Sequence, residues 1–218
     1  MTYPGRRSYD EGCIAAHALD LVGDRWALLV VRELMLGPRR FSDLRAGLPG
    51  VSANVLARRL EEMEAAGIVI PAARGYALTP AGEGLWPVIR ALAAWGARQP
   101  GHDPARFISP TALMLSMRVT CARARAGTHL VEMRAGEEIF TIATAPGSYG
   151  VTRGPGRTAP AGLVFAGGTN ALAAAVYGAQ PLAEVAAAGM IAFRGDAAEG
   201  QGFLDLFALP PPQPAGST

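Results

Sequence analysis

The chain has 218 residues, half of them hydrophobic and 17% charged, a balance that builds cores, excludes disorder over most of the length and leaves room for two modest domains. All 20 basic residues are arginine, which excludes both a lysine Schiff base and a P-loop lysine. The first hundred residues carry 12 arginines against 10 acidic residues and the remainder 8 against 8, so the placement of arginines, not bulk charge, must decide for or against a nucleic-acid partner.

Met1 to Asp10 holds no apolar run and does not read as a secretory signal. Cys13 to Val22 reads as a first helix. Gly23-Asp24 then resets the chain, with Asp24 expected to cap a second helix from Arg25 to Leu36. In that helix Trp26, Leu29, Val30, Glu33 and Leu34 recur at helical spacing, and Gly37-Pro38 stops it. A third helix spans Arg40 to Ala46 and ends in Gly47-Leu48-Pro49-Gly50. Ser52 is the expected N-cap of a fourth, which runs to Ala66 and closes on Gly67. Ile68-Val69-Ile70 and Tyr76-Ala77-Leu78 flank Ala72-Ala73-Arg74-Gly75, two strands around a turn. Thr79-Pro80 opens a last helix, Ala81 to Ala97.

Residues 99–109 lack periodicity and carry Pro and Gly, as a linker does. Beyond them Ser109-Pro110 starts a helix to about Ala126. Strands follow at His129 to Arg134, Ile139 to Ala143, Tyr149 to Thr152 and Leu163 to Ala166. Asn170 to Gly178 and Leu182 to Ala188 read as helices, Met190 to Arg194 as a strand, and Gly202 to Ala208 as a final helical turn or two. The Pro-rich tail, residues 210–218, is expected to be disordered. The uncharged run Thr158 to Ala183 could span a bilayer by length, but Gly167-Gly168-Thr169-Asn170, Gly178 and Pro181 break it, so it reads as core and no membrane partner is expected.

Helix, turn, helix and a two-stranded ribbon is the winged form of the helix-turn-helix, whose second helix enters the major groove of DNA. At about 100° per residue along the fourth helix, Val55, Leu56, Leu60 and Met63 share one arc, expected to face the core. The opposite arc carries Asn54 and Arg58, with Ser52 at its start. Arginine can grip a guanine edge through two hydrogen bonds, asparagine can do so for adenine, and serine suits a base or a phosphate. Arg59 falls inside the apolar arc, which points to a structural ion pair or a tucked-in stem. Glu61 and Glu62 lie a turn further along, where the helix leaves the groove. Arg39 and Arg40 before the third helix, and Arg74 at the ribbon's turn, are the expected phosphate clamps.

The runs Ala18-Leu19-Asp20-Leu21-Val22-Gly23-Asp24-Arg25-Trp26, Arg32-Glu33-Leu34, Gly37-Pro38-Arg39-Arg40-Phe41-Ser42-Asp43-Leu44-Arg45 and Leu78-Thr79-Pro80-Ala81-Gly82, with Ser52, Leu56, Arg59-Leu60 and Gly67 between them, resemble the HxlR family of bacterial transcription regulators over about residues 10–97. The resemblance implies a winged-helix homodimer, paired through its first and last helices on a palindromic operator in double-stranded DNA. The ribbon is shorter than that pattern leads one to expect, with Arg74 as its one useful contact. Some members of the family sense oxidants or electrophiles through a cysteine near the N-terminus, and Cys13 stands at the matching place; the alternative is that it packs as a small apolar residue. Cys121, between Thr120 and Ala122, reads as packing. Two cysteines so far apart suggest neither zinc nor a disulfide and fit a reducing, cytoplasmic setting.

Ala161 to Gly167 and Gly178 to Asp196 resemble, more loosely, the sterol-carrier-protein-type fold, over about residues 109–208. That resemblance implies a sheet with helices around an apolar tunnel, which either takes a hydrophobic small-molecule effector or serves dimerisation. Enzyme readings fail on spacing. His17, His102 and His129 are scattered, Gly147-Ser148-Tyr149-Gly150 misses a nucleophile elbow by one residue, and Gly154 to Ala159 leads into a strand where a dinucleotide loop requires a helix. The expectation is thus an α+β chain without cofactors: a winged helix-turn-helix domain at 1–98, a linker at 99–109, a sterol-carrier-protein-like domain at 110–209 and a tail. As a regulator it is expected to repress, because a dimer sitting on a promoter blocks it without further help. A carrier whose tunnel is the working part is the rival reading.

Overall fold

Hydrophobic patterning resolves the chain into two compact units in a computed structural model that describes residues 8–156 and 161–211: one through Ile89, the other from Arg90 onward. The architecture is α+β, and the first unit is a winged helix. It holds α1 (Ile14–Val22), α2 (Ala27–Leu34), α3 (Phe41–Gly47), α4 (Ala53–Ala65), the hairpin β1 (Val69–Ala72) and β2 (Gly75–Leu78), α5 (Pro80–Glu83) and the start of α6 (Trp86–Gly96). Its core is Val30, Val31 and Leu34 of α2, Leu44 of α3, Leu56, Leu60 and Met63 of α4, and Val69 of the hairpin. Leu48 and Val51 sink into the same core and pin the turn between α3 and α4.

Three expectations are corrected here. Asp24 does not cap α2; Trp26 occupies that position with φ of 80°, a left-handed conformation that strains a bulky residue. The Asp24 carboxylate is drawn instead to Arg59, while the Trp26 ring packs on the core with the Arg25 guanidinium 5.2 Å from its centre. The single last helix is two, α5 and α6, parted at Gly84-Leu85 where Gly82 and Gly84 lower helix propensity. Third, Val55, expected to face the core with Leu56 and Leu60, is exposed.

The second unit is a five-stranded sheet with helices packed on it. Strands β3 (His129–Ala135), β4 (Glu138–Ala145) and β5 (Ser148–Arg153) form an antiparallel meander. Strand β6 (Leu163–Gly167) runs parallel to β3 on its other side, and β7 (Ala192–Arg194) closes the order β5-β4-β3-β6-β7. Alternation sends Val131, Met133, Phe140, Ile142 and Tyr149 inward. Helices α7 (Pro110–Thr120), α8 (Thr169–Tyr177), α9 (Leu182–Ala187) and α10 (Ala197–Leu204) supply Leu113, Met117, Leu172, Val185 and Phe203 to the same interior. Ring pairs Phe165–Phe193, Phe165–Phe203 and Phe203–Phe207 fill it at centroid separations of 4.9, 5.8 and 5.1 Å.

Helix α7 ends at Thr120 rather than near Ala126, because Cys121 bridges to Phe207 and the chain then turns through a 3-10 segment, Arg123–Arg125. The last helix starts earlier than expected, capped by Asp196, whose carboxylate accepts the Glu199 N–H at 2.9 Å. The far end of the expected linker is tied to this unit. Asn170 donates to the carbonyls of Ala105 and Arg106 at 3.2 and 2.8 Å. The expected turn at Gly154 to Ala159 and the tail lie largely outside the described residues. No helix among the described residues is long and apolar enough to cross a membrane.

Candidate nucleic-acid interface

Everything at this face is organised by how α4 is held. Leu56, Leu60 and Met63 are each at most 1% exposed, and burying such side chains contributes roughly 1.5–3 kcal/mol apiece. At the N-terminus the Ser52 hydroxyl oxygen accepts the Val55 N–H at 3.3 Å, satisfying one of the donors a helix leaves free there. At the other end Gly67 takes φ of 70°, and the Ile68 N–H returns to the Met63 carbonyl at 2.9 Å. Arg59 is the lateral tie. Its side chain is 6% exposed, and its guanidinium donates to Asp24 Oδ2 at 2.6 Å and also pairs with Glu62. One buried cation thus fastens α4 to the turn that precedes α2, as its position in the apolar arc foretold.

With that underside fixed, the first turns of α4 present Ser52, Asn54, Val55 and Arg58 to solvent. Arg58 is 69% exposed and its Nε stands 3.6 Å from Glu62 Oε1. Exposed pairs at this spacing are worth only a few tenths of a kcal/mol, so the guanidinium is readily released to a better partner. Ser52 keeps its hydroxyl proton for donation, because the oxygen serves the cap as acceptor.

Arg40 is exposed immediately before α3, and Arg74 is exposed at the turn of the β1–β2 wing. A feature absent from the sequence reading connects them. The Arg39 N–H donates to the Tyr76 carbonyl at 2.9 Å and the Tyr76 N–H to the Arg39 carbonyl at 2.8 Å, so a single antiparallel bridge ties the segment before α3 to the wing. Gly75 makes that approach possible: its φ is 106°, and a Cβ there would sit 2.1 Å from the Arg39 carbonyl oxygen. Arg39 itself departs from the clamp expectation. It is 6% exposed with Nη2 turned to the Asp43 carbonyl at 3.4 Å, because its backbone is committed to the wing and its side chain folds under α3.

The opposite departure is Val55, 36% exposed although helical phase had put it with the core residues. It lies at the edge of the apolar arc, about 60° from Arg58. Its place three residues after the N-cap, where a recognition helix meets the bases, is the signal that could have identified it.

Cys13 is exposed at the N-cap of α1. The amide groups of Ala16 and Ala15 hold its thiol below the ordinary range, without closing a full capping hydrogen bond. Burial pushes the Cys121 thiol up, against a smaller opposing pull from Arg123.

The HxlR-like helix-turn-helix family matches residues 21–103. The HTH-type transcriptional regulator YvaP of Bacillus subtilis is 36% identical over 85 residues, which are 36% of this chain and 79% of that protein. The chain belongs to the HxlR-like helix-turn-helix family. YtfH of Escherichia coli, another HTH-type transcriptional regulator, is 37% identical over 94 residues, 40% of this chain and 75% of that one. Among solved structures, quinone-bound YodB from B. subtilis is 36% identical and covers 38% of this chain and 97% of its own, with a TM-score of 0.36. The HxlR-like relatives are DNA-binding transcription regulators, not enzymes.

Proposed function

We propose that this chain is a homodimeric, cytoplasmic repressor that reads a palindromic operator through the outer face of α4. The observation that carries this reading is the exposed first turn of α4, with Ser52, Asn54 and Arg58 outward over a buried Leu56–Leu60–Met63 underside. Arg58 and Asn54 contact base edges, and Ser52, Arg40 and Arg74 contact phosphates, while Arg39 braces the wing from below. Pairing is supported by the apolar side chains left in solvent on two helices: Ile14 and Leu19 on α1, and Val88, Leu92 and Trp95 on α6. The DNA-binding domain takes in the whole of α6 and ends at about residue 98, beyond the Ile89 limit of the first compact unit, and 99–109 link it to the second domain.

That second domain is of sterol-carrier-protein type and takes a hydrophobic small molecule, a reading supported by its resemblance in sequence and by a sheet with helices packed on it. A ligand there alters DNA affinity only to the extent that it prefers one of the two states of the dimer. The test of the whole reading is selection of duplexes from a random-sequence pool with the full chain, followed by salt titration. A twofold-symmetric consensus bound less tightly as salt rises is expected, and failure to enrich any sequence defeats it. Native mass spectrometry of freshly purified protein checks for a co-purifying apolar molecule.

A second reading is favoured by the setting of Cys13, whose solvent access and neighbouring amide groups suit a thiol that reacts with electrophiles. Mild oxidation would then release wild-type protein from the selected duplex and leave Cys13→Ser bound. Equal release of both removes the cysteine from the mechanism.

A further inference from the structure

We infer that Val55 is a base-reading residue that recognises the 5-methyl group of a thymine in each operator half-site. This rests on the DNA-binding reading above and deepens it. In a helix-turn-helix the N-terminal residues of the second helix reach the base edges, and Val55 is the third residue of α4 after its Ser52 cap. Of the branched apolar side chains in the first two turns of α4, Leu56 and Leu60 are buried, whereas Val55 is 36% exposed. On its solvent side stand Arg58, about 60° round the helix, and Asn54, about 100° round, both exposed.

A β-branched aliphatic group in that position has no hydrogen bond to offer. The one apolar group that a base pair displays in the major groove is the thymine C5-methyl. The backbone of Val55 is also fixed, because its N–H is held by the cap, and its χ1 freedom in a helix is small. A stiff isopropyl group on an anchored first turn loses little entropy when it packs on a methyl. Having no acceptor, it is a poor neighbour for the polar N4 amine of cytosine, whose N–H it would leave unpaired. Arg58 and Asn54 supply hydrogen-bond readout, and Val55 supplies the apolar readout at the edge beside them.

The experiment uses the full chain and a duplex recovered from a random-sequence pool. Each thymine of the selected half-site is replaced in turn by deoxyuridine, which keeps the pairing and removes only the methyl. For the wild type one position per half-site is expected to weaken binding about fourfold, the worth of one buried methyl-sized group, with the other positions nearly silent. Val55→Ala, a substitution at an exposed helical position that leaves folding intact, is expected to lose that sensitivity at the same position and bind both duplexes alike. Equal sensitivity in Val55→Ala, or a wild type indifferent to every uracil, overturns the assignment while leaving DNA binding standing. A pool from which nothing is enriched overturns the DNA-binding reading and this assignment with it.

Discussion

At the scale of single residues, the arginines of the first unit divide by what already holds them. Arg59 is buried and doubly paired, and Arg39 is folded beneath α3; Arg40, Arg58 and Arg74 stand in solvent. Arg58→Ala is expected to cost about 1–3 kcal/mol on the selected duplex and to relax preference at one base pair, as loss of a bidentate base contact does. Arg40→Ala should instead weaken all duplexes alike and lower the salt slope by about one unit, the mark of a single phosphate contact. Competition binding against point-mutated duplexes, run at several salt concentrations, separates the two; identical behaviour would refute the division. The two thiols divide similarly. Lowering of the Cys13 thiol means its reactive thiolate accumulates at lower pH than in a free cysteine, and raising of Cys121 by burial means the reverse there. With limiting iodoacetamide near neutral pH, peptide mapping should find Cys13 alkylated first, and its rate should rise at lower pH than that of Cys121.

At the scale of elements, what was legible in the sequence is what local chemistry decides. Ser52 and Gly67 bracket α4 correctly because a cap and a left-handed closure are each settled within a few residues. Asp24 was misread because its carboxylate answers to Arg59, a partner 35 positions away that no helix-start rule can see. The early end of α7 has the same origin, a bridge from Cys121 to Phe207. Asp196 is the contrary case: an Asp three residues before Glu199 is a local cap signal that fixes the start of α10 ahead of its apolar residues. Of the candidate interface, Asn54, Arg58, Arg40 and Arg74 were legible as exposed cations and amides. Arg39 was not, since its burial follows from the bridge it forms with Tyr76. That bridge makes a prediction for the wing. Gly75→Ala would force a Cβ to within 2.1 Å of the Arg39 carbonyl at a φ of 106°, so stability should fall by about 2 kcal/mol or more. Both the wing and the segment bearing Arg40 would shift. Urea unfolding and hydrogen exchange at Arg39 and Tyr76 would show it, and native protection at those two amides would contradict it.

At the scale of the molecule, one winged helix presents one recognition helix, and a single short helix on a half-site buries too little to discriminate against the bulk of non-specific DNA. Two copies related by a twofold axis would place a pair of α4 helices about 34 Å apart, one turn of the duplex, and multiply their affinities. The chain carries apolar surface suited to that pairing. Ile14 is 88% exposed and Trp95 64%, and Val88, Leu92 and Trp95 recur on α6 at helical spacing, with no residue of that helix buried. Because α6 contributes no buried side chain, Leu92→Glu should leave the fold of the protomer intact while placing a charge on the proposed pairing face. The expected result is a monomer by light scattering at micromolar concentration, with unchanged far-ultraviolet circular dichroism. On the palindromic duplex the loss should be on the order of a hundredfold, and the salt slope should fall to about half as one set of phosphate contacts is lost. On an isolated half-site, wild type and variant should bind equally. If Leu92→Glu remained dimeric with undiminished affinity, pairing would have to run through another surface, and the geometry that sets two α4 helices one turn apart would need a different axis.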